Sequence, residues 1–261
     1  MFPKLLDRLP PGWKPANASV VDRLYSIIVG RGKAPARADA DRANPSAASG
    51  ARRVSLVYAD IVRLAQSLNI ADVLESFESD LQLYVAEWAK RKLFVHAGVV
   101  GWHGRAIIMP GRSFSGKTRL VAELVKAGAT YYSDEYAVLD ASGRVHPYAR
   151  PLALRTEGSD RQTKHPVESL GGASGRKALP VGLVVACRYK QAAEWRPRLL
   201  SVGQGALEML ANAVPARRDP QSSLATIQRV VSQAPVLKGT RGEAAAAAAS
   251  ILIRLDREHN V

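Results

Sequence analysis

The spacing of apolar residues changes period several times along this chain, and each change predicts an element. Between Ile70 and Lys92, Val73, Leu74, Phe77, Leu81, Tyr84, Val85 and Trp88 recur at helical intervals, which predicts one long amphipathic helix. From Leu93 to Val100 and from Ala106 to Met109 the pattern becomes two short apolar runs, split by Gly101-Trp102-His103-Gly104, and predicts a β-hairpin. Leu120, Val121, Leu124 and Val125 return to the helical period, and the aromatic and β-branched residues of 129–140 predict strands. Val181 to Cys187 reads as a buried strand, followed by a short run from Arg198 to Val202 and helices near Ala206 to Asn212 and Gln221 to Ser232. The tract Ala244 to Ala249, continued by Ile251, Leu252, Ile253 and Leu255, predicts an amphipathic helix that caps a core.

The N-terminal third is less regular. Pro10-Pro11-Gly12 interrupts any continuous element, Val20 to Val29 has strand-like or short helical content, and Val54 to Tyr58 predicts a strand. Residues 31–51 lack large apolar groups and predict a flexible loop, and the glycine-rich span Gly171 to Lys177 predicts a second mobile segment. The whole reads as an α/β protein: an N-terminal α+β extension over 1–92 and a core over 93–258.

At 261 residues and 47% hydrophobic content the chain can bury a sizeable core. Its one cysteine, Cys187, cannot form an internal disulfide; its apolar neighbours predict a buried thiol in a strand, and a reducing, cytoplasmic location is expected. No apolar stretch approaches 18 residues, so no membrane span is expected. The net charge of +14 raises nucleic acid as a partner. Its arginines are scattered, with doublets only at Arg52-Arg53 and Arg217-Arg218, and there is no basic stripe interleaved with aromatics, no zinc-ligand spacing and no helix-turn-helix pattern. The excess charge fits nucleotide phosphates or acidic partners better.

Candidate chemistry concentrates in Gly111-Arg112-Ser113-Phe114-Ser115-Gly116-Lys117-Thr118, which fits the phosphate-loop pattern G-x-x-x-x-G-K-[ST]. Two glycines let the chain curl so that backbone N–H groups point at a phosphate, Lys117 brings a mobile cation and Thr118 a hydroxyl for Mg²⁺. The context the motif needs, a strand before and a helix after, is predicted here. Phosphoryl transfer also needs a metal site and a group that orients or deprotonates the acceptor, and Asp134 and Glu135, after a predicted strand, are the candidates. His96, inside Phe94-Val-His-Ala-Gly98, would in isolation be a core histidine; its place on the hairpin ahead of the loop makes it a site candidate. Arg150 and Arg155, beyond the acidic pair, read first as solvated or salt-bridged and second as contacts to phosphate or acceptor, and Arg176 and Lys177 as a candidate lid over the site.

His96-Ala-Gly98, the loop Gly111 to Thr118, the helix end Val125-Lys-Ala-Gly128 and Ser133-Asp134-Glu135, in that order and spacing, resemble the HPr kinase/phosphorylase family and its smaller P-loop relatives. The resemblance covers residues 93–140 closely and 141–258 only in general pattern. It implies a core similar to the phosphoenolpyruvate carboxykinase-like P-loop fold, with ATP and Mg²⁺, phosphorylating a hydroxyl, usually serine. It puts Asp134 at the catalytic carboxylate, His96 beside that carboxylate, Lys117 and the loop on ATP, and Thr118, Asp134 and Glu135 at the metal. Glu135 replaces a second aspartate, and Arg119 stands where the family commonly has glutamate. The family's signature for dephosphorylation is not recognised here, so the reverse reaction has no support from the resemblance. The implied acceptor is a serine-bearing protein, a peptide or a small molecule, and family members form oligomers, so a homo-oligomer is among the expectations. The alternative is a nucleotide-gated interaction module, in which ATP orders residues 156–180 without transfer.

Overall fold

The computed structural model describes residues 2–33, 53–111, 115–155 and 162–259. The chain divides into two compact units, Met1–Val85 and Ala86–Val261. The first holds α1 (Phe2–Leu6), β1 (Tyr25–Lys33), β2 (Arg53–Ala59), β3 (Val62–Ser67) and most of α2 (Ile70–Trp88), so the division falls within the long predicted helix and not at residue 93.

The strands of the first unit form an antiparallel sheet in the order β1-β2-β3. Helix α2 starts where the Asn69 side chain accepts from the Ala71 N–H at 3.0 Å, satisfying a donor the first turn leaves free. Val73 and Phe77 then fall on one face and pack against Val57, with the Tyr25 ring edge-on to Phe77 at 5.1 Å. Val20 and Val21 are exposed, and the strand predicted near them begins only at Tyr25. Of the loop predicted over 31–51, residues 31–33 belong to β1 and the remainder lies outside the described residues.

The second unit contains, in chain order, β4 (Leu93–Trp102), β5 (Arg105–Pro110), α3 (Lys117–Lys126), β6 (Thr130–Ser133), β7 (Tyr136–Leu139), β8 (Val145–His146), β9 (Leu152–Arg155), β10 (Gln162–His165), β11 (Val181–Tyr189), β12 (Arg198–Leu199), α4 (Val202–Leu210), α5 (Pro220–Gln233), β13 (Val236–Arg241) and α6 (Ala244–His259). Among the described residues its main sheet has eight strands in the order β12-β13-β11-β5-β4-β7-β8, with β6 also on β4. β5, β11 and β13 run parallel, and the others pair antiparallel. The protein is therefore mixed α/β with a mixed sheet. The period of two along each strand sends alternate residues to opposite faces. Ile107, Met109, Leu183 and Val185 meet Leu120, Leu124, Ala248, Ile251 and Leu255 of α3 and α6 on one face. Ala106, Ile108, Val181 and Val184 meet Met209, Ile227 and Val230 of α4 and α5 on the other.

The hairpin read from the sequence is present: Trp102 pairs with Arg105, and the turn residues His103 and Gly104 have φ of 44° and 77°, the positive values of a type I′ turn. The span Gly171–Lys177 is not the mobile segment its glycines suggested. Tyr131 donates its N–H to Ala173, and Gly175 donates to Tyr131. A Cβ on Gly175 would lie 2.2 Å from the Tyr132 ring, so this glycine serves close packing and not mobility. Strand β13, which the sequence pattern did not announce, lies inside the sheet between β11 and β12.

Candidate functional site

Three parallel strands end on one side of the sheet, the edge where α/β proteins place ligands. The phosphate-loop sequence leaves the C-terminal end of β5, and α3 begins at Lys117. Arg112, Ser113 and Phe114 lie outside the described residues. The two ends of the loop nonetheless close on each other: a Cβ on Gly111 would fall 2.9 Å from Ser115 Oγ and 3.6 Å from the Lys117 stem. Gly111 N–H donates to the His96 carbonyl at 3.1 Å, tying the loop base to β4. Gly116 precedes the helix with φ of 83°, a left-handed conformation that favours glycine. Ser115 Oγ is buried without a hydrogen-bond partner among the described residues, a hydroxyl that a phosphate oxygen would satisfy.

The acidic pair reaches the loop from across β4. Strands β6 and β7 both pair with β4, through Val99–Gly101 and Leu93–His96 respectively, and the chain breaks pairing between them at Asp134 and Glu135. Ser133 makes that break a defined turn, its Oγ accepting from the N–H groups of Glu135 at 3.1 Å and Tyr136 at 3.0 Å. The carboxylates are therefore not on the strand next to β5: β4 lies between, and two strand spacings amount to about 10 Å of sheet that side chains must span. They do span it. The Thr118 hydroxyl hydrogen-bonds the Asp134 carboxylate, and Lys117 feels the charge of both acids.

Asp134 is held by further donors that the sequence did not single out. Tyr131 Oη lies 2.9 Å from Asp134 Oδ1 and 2.8 Å from the Arg150 carbonyl, and the Ala153 N–H at the start of β9 also donates to Asp134. The only forewarning was the buried aromatic pair Tyr131-Tyr132. Arg150 Nη1 stands 3.6 Å from Glu135 Oε2, which gives Arg150 the salt-bridged role. Arg155 has no described side chain. Arg176 and Lys177 belong to the packed span, where the Lys177 carbonyl accepts from Tyr132 Oη at 2.8 Å.

Burial disfavours the charged forms of the titratable groups at the site. It pulls the Lys117 ammonium below the usual lysine range, against the opposing pull of Asp134, Cys187 and Glu135. It raises Asp134 despite hydrogen bonds from Tyr131, Ala153 and Thr118, and with the Asp134 charge it pushes Glu135 up to about 7. His96 is lowered by burial and then by Lys117, so its ring favours the neutral form. That ring packs on Tyr136 at 4.9 Å between centroids. Lys117 is the charged group that lowers His96, so the histidine stands close to the loop lysine.

Comparison with protein-family models and with curated proteins finds no match to this chain. No helix among the described residues is long and apolar enough to cross a membrane.

Proposed function

We propose that this protein is an ATP- and Mg²⁺-dependent phosphotransferase that moves the γ-phosphate of ATP to a hydroxyl, on a core of the HPr kinase type. The observation that carries the reading is the hydrogen bond between Thr118, one residue into the helix after the loop, and Asp134, which the chain brings from the far side of β4. A chance match to an eight-residue pattern gives no reason for a distant carboxylate to meet its last hydroxyl. The residues fit the groups the reading requires. Ser115 supplies an unused buried hydroxyl to a phosphate, and Thr118, Asp134 and Glu135 supply an all-oxygen donor set suited to a hard cation. Thr118, Asp134 and Glu135 would hold Mg²⁺, which when bound would offset phosphate charge.

In this reading the loop N–H groups and Lys117 hold the β- and γ-phosphates. The polyphosphate restores to Lys117 the counter-charge that burial withholds. Asp134, kept in one orientation by Tyr131 and the Ala153 N–H, accepts the acceptor's proton as its oxygen attacks phosphorus and ADP leaves. A general base works best with a pKa near the working pH, and the upward shift of Asp134 is in that direction. Neutral His96 limits the positive charge beside Lys117. The acceptor is a serine-bearing protein, a peptide or a small molecule. Incubating the protein with γ-labelled ATP and a soluble lysate tests the proposal: one labelled species is expected with wild type and none with Lys117→Ala. Asp134→Asn should bind ATP but transfer at least a hundredfold more slowly, a typical loss for a general base. Undiminished transfer by Asp134→Asn would refute this assignment.

A further inference from the structure

The least expected side chain at the loop is Arg241, the last residue of β13. It is 2% exposed, and among the described residues no carboxylate pairs with it. A buried guanidinium without a counter-ion is costly unless its donors are spent on fixed acceptors. Arg241 spends them on the site edge: Nη2 donates to the Gly116 carbonyl at 2.7 Å and Nη1 to the Gly242 carbonyl at 2.9 Å. It also hydrogen-bonds the Cys187 thiol, and its guanidinium lies 5.7 Å from the centre of the Tyr189 ring. The register explains how it arrives there, since Tyr189 and Arg241 are cross-strand partners at the C-terminal ends of β11 and β13. Its Nε has no partner among the described residues.

We propose that Arg241 is a positioning residue for the phosphate loop, an inference that rests on the phosphotransferase reading above. The peptide joining Gly116 to Lys117 is planar and trans, so its C=O and N–H point in opposite directions. Anchoring the Gly116 carbonyl on the guanidinium therefore aims the Lys117 N–H the other way, out of the helix N-terminus and into the loop. The carbonyl also accepts the first helical bond, from the Leu120 N–H at 3.3 Å, so the two donors fix one orientation together. Gly116 suits this arrangement twice over: its φ of 83° favours glycine, and a Cβ there would stand 2.5 Å from Arg241 Nη2. The cation adds a second effect. It sits behind the loop, uncompensated by any described carboxylate, and favours a polyanion in front of it.

The test is calorimetric titration of the full-length protein with MgATP and, separately, with magnesium tripolyphosphate, using wild type, Arg241→Met, Arg241→Lys and Lys117→Ala. Wild type should bind both ligands. Arg241→Met, which keeps the volume but removes the donors, should weaken both by tenfold or more, because the contact is with the phosphate loop and not with a base or sugar. Arg241→Lys, which keeps the charge and at most part of the hydrogen bonding, should recover a portion. A folded Arg241→Met that binds both ligands within twofold of wild type overturns the inference and leaves the phosphotransferase reading standing. Wild type that binds neither ligand sinks that reading and this inference with it. Should Arg241→Met not fold, Arg241→Lys decides: affinity unchanged from wild type in both titrations overturns the positioning role. Should neither variant fold, nitrogen NMR of wild type decides: the Arg241 Nε–H resonance should shift as MgATP is added, and a resonance that stays fixed at saturation overturns the role.

Discussion

Replacing Gly116 by alanine separates backbone strain from the grip of Arg241, because another glycine supplies the control. Gly116 and Gly104 both have strongly positive φ, 83° and 77°, but a Cβ at Gly104 meets nothing within 4 Å, whereas one at Gly116 would lie 2.5 Å from Arg241 Nη2. Alanine at either position bears the left-handed conformation, roughly 1–2 kcal/mol. At Gly116 it must also displace the guanidinium from its carbonyl, and a hydrogen bond to a charged group contributes about 1.5–3 kcal/mol. The expected costs are therefore roughly 1–2 kcal/mol for Gly104→Ala and roughly 3–5 kcal/mol for Gly116→Ala. With about 2–4 °C lost per kcal/mol in a unit of this size, thermal unfolding should place Gly116→Ala roughly 3–12 °C below Gly104→Ala. Adding Arg241→Met to Gly116→Ala removes the clash, so the double variant should lose less than the sum of the two single changes. Equal midpoints for the two glycine variants, or strict additivity in the double variant, would refute the close contact between Arg241 and the loop.

Two further outcomes follow from the geometry. Glu135 has a folded pKa of about 7 against an ordinary value of 4.5, so the folded state holds the extra proton between these values and the stability it contributes is lost as pH rises from 4.5 through 7. The melting temperature of the ligand-free protein should fall across that window and level off above it, less steeply in Glu135→Gln; identical slopes would contradict the upward shift of this carboxyl. Gly175→Ala should destabilise by about 1–3 kcal/mol through overpacking against Tyr132, measured by chemical denaturation. A loss under about 0.5 kcal/mol, typical of an open surface position, would mean that this span is not packed.

The sequence announced the phosphate loop, the hairpin before it, the helices α2 and α6 and the acidic pair because each rests on a local signal: a fixed spacing, a turn, or an apolar period. What escaped depends on pairing between distant segments. β13 carries only Val236 and Leu237 as large apolar residues before Lys238-Gly239-Thr240-Arg241, so its polar composition resembles a loop, although it lies between β11 and β12. With that strand undetected, nothing connected Arg241 to Gly116, 125 positions away. Tyr131 was legible as a buried strand residue, but its hydroxyl finds Asp134 only once β6 is laid along β4. The glycines of 171–177 misled for the opposite reason. Their composition is that of a mobile segment, and only the nearness of Val125 and Tyr132 explains why side chains are excluded there.

In the proposed phosphotransferase the loop from Gly111 to Thr118 grips a triphosphate beside Asp134. Isothermal titration of the intact protein with ATP in the presence of Mg²⁺ tests it most directly, with Lys117→Ala as the blank. Wild type should show saturable one-to-one binding that Lys117→Ala abolishes. Absence of binding in wild type, or equal affinity in the two proteins, would contradict it.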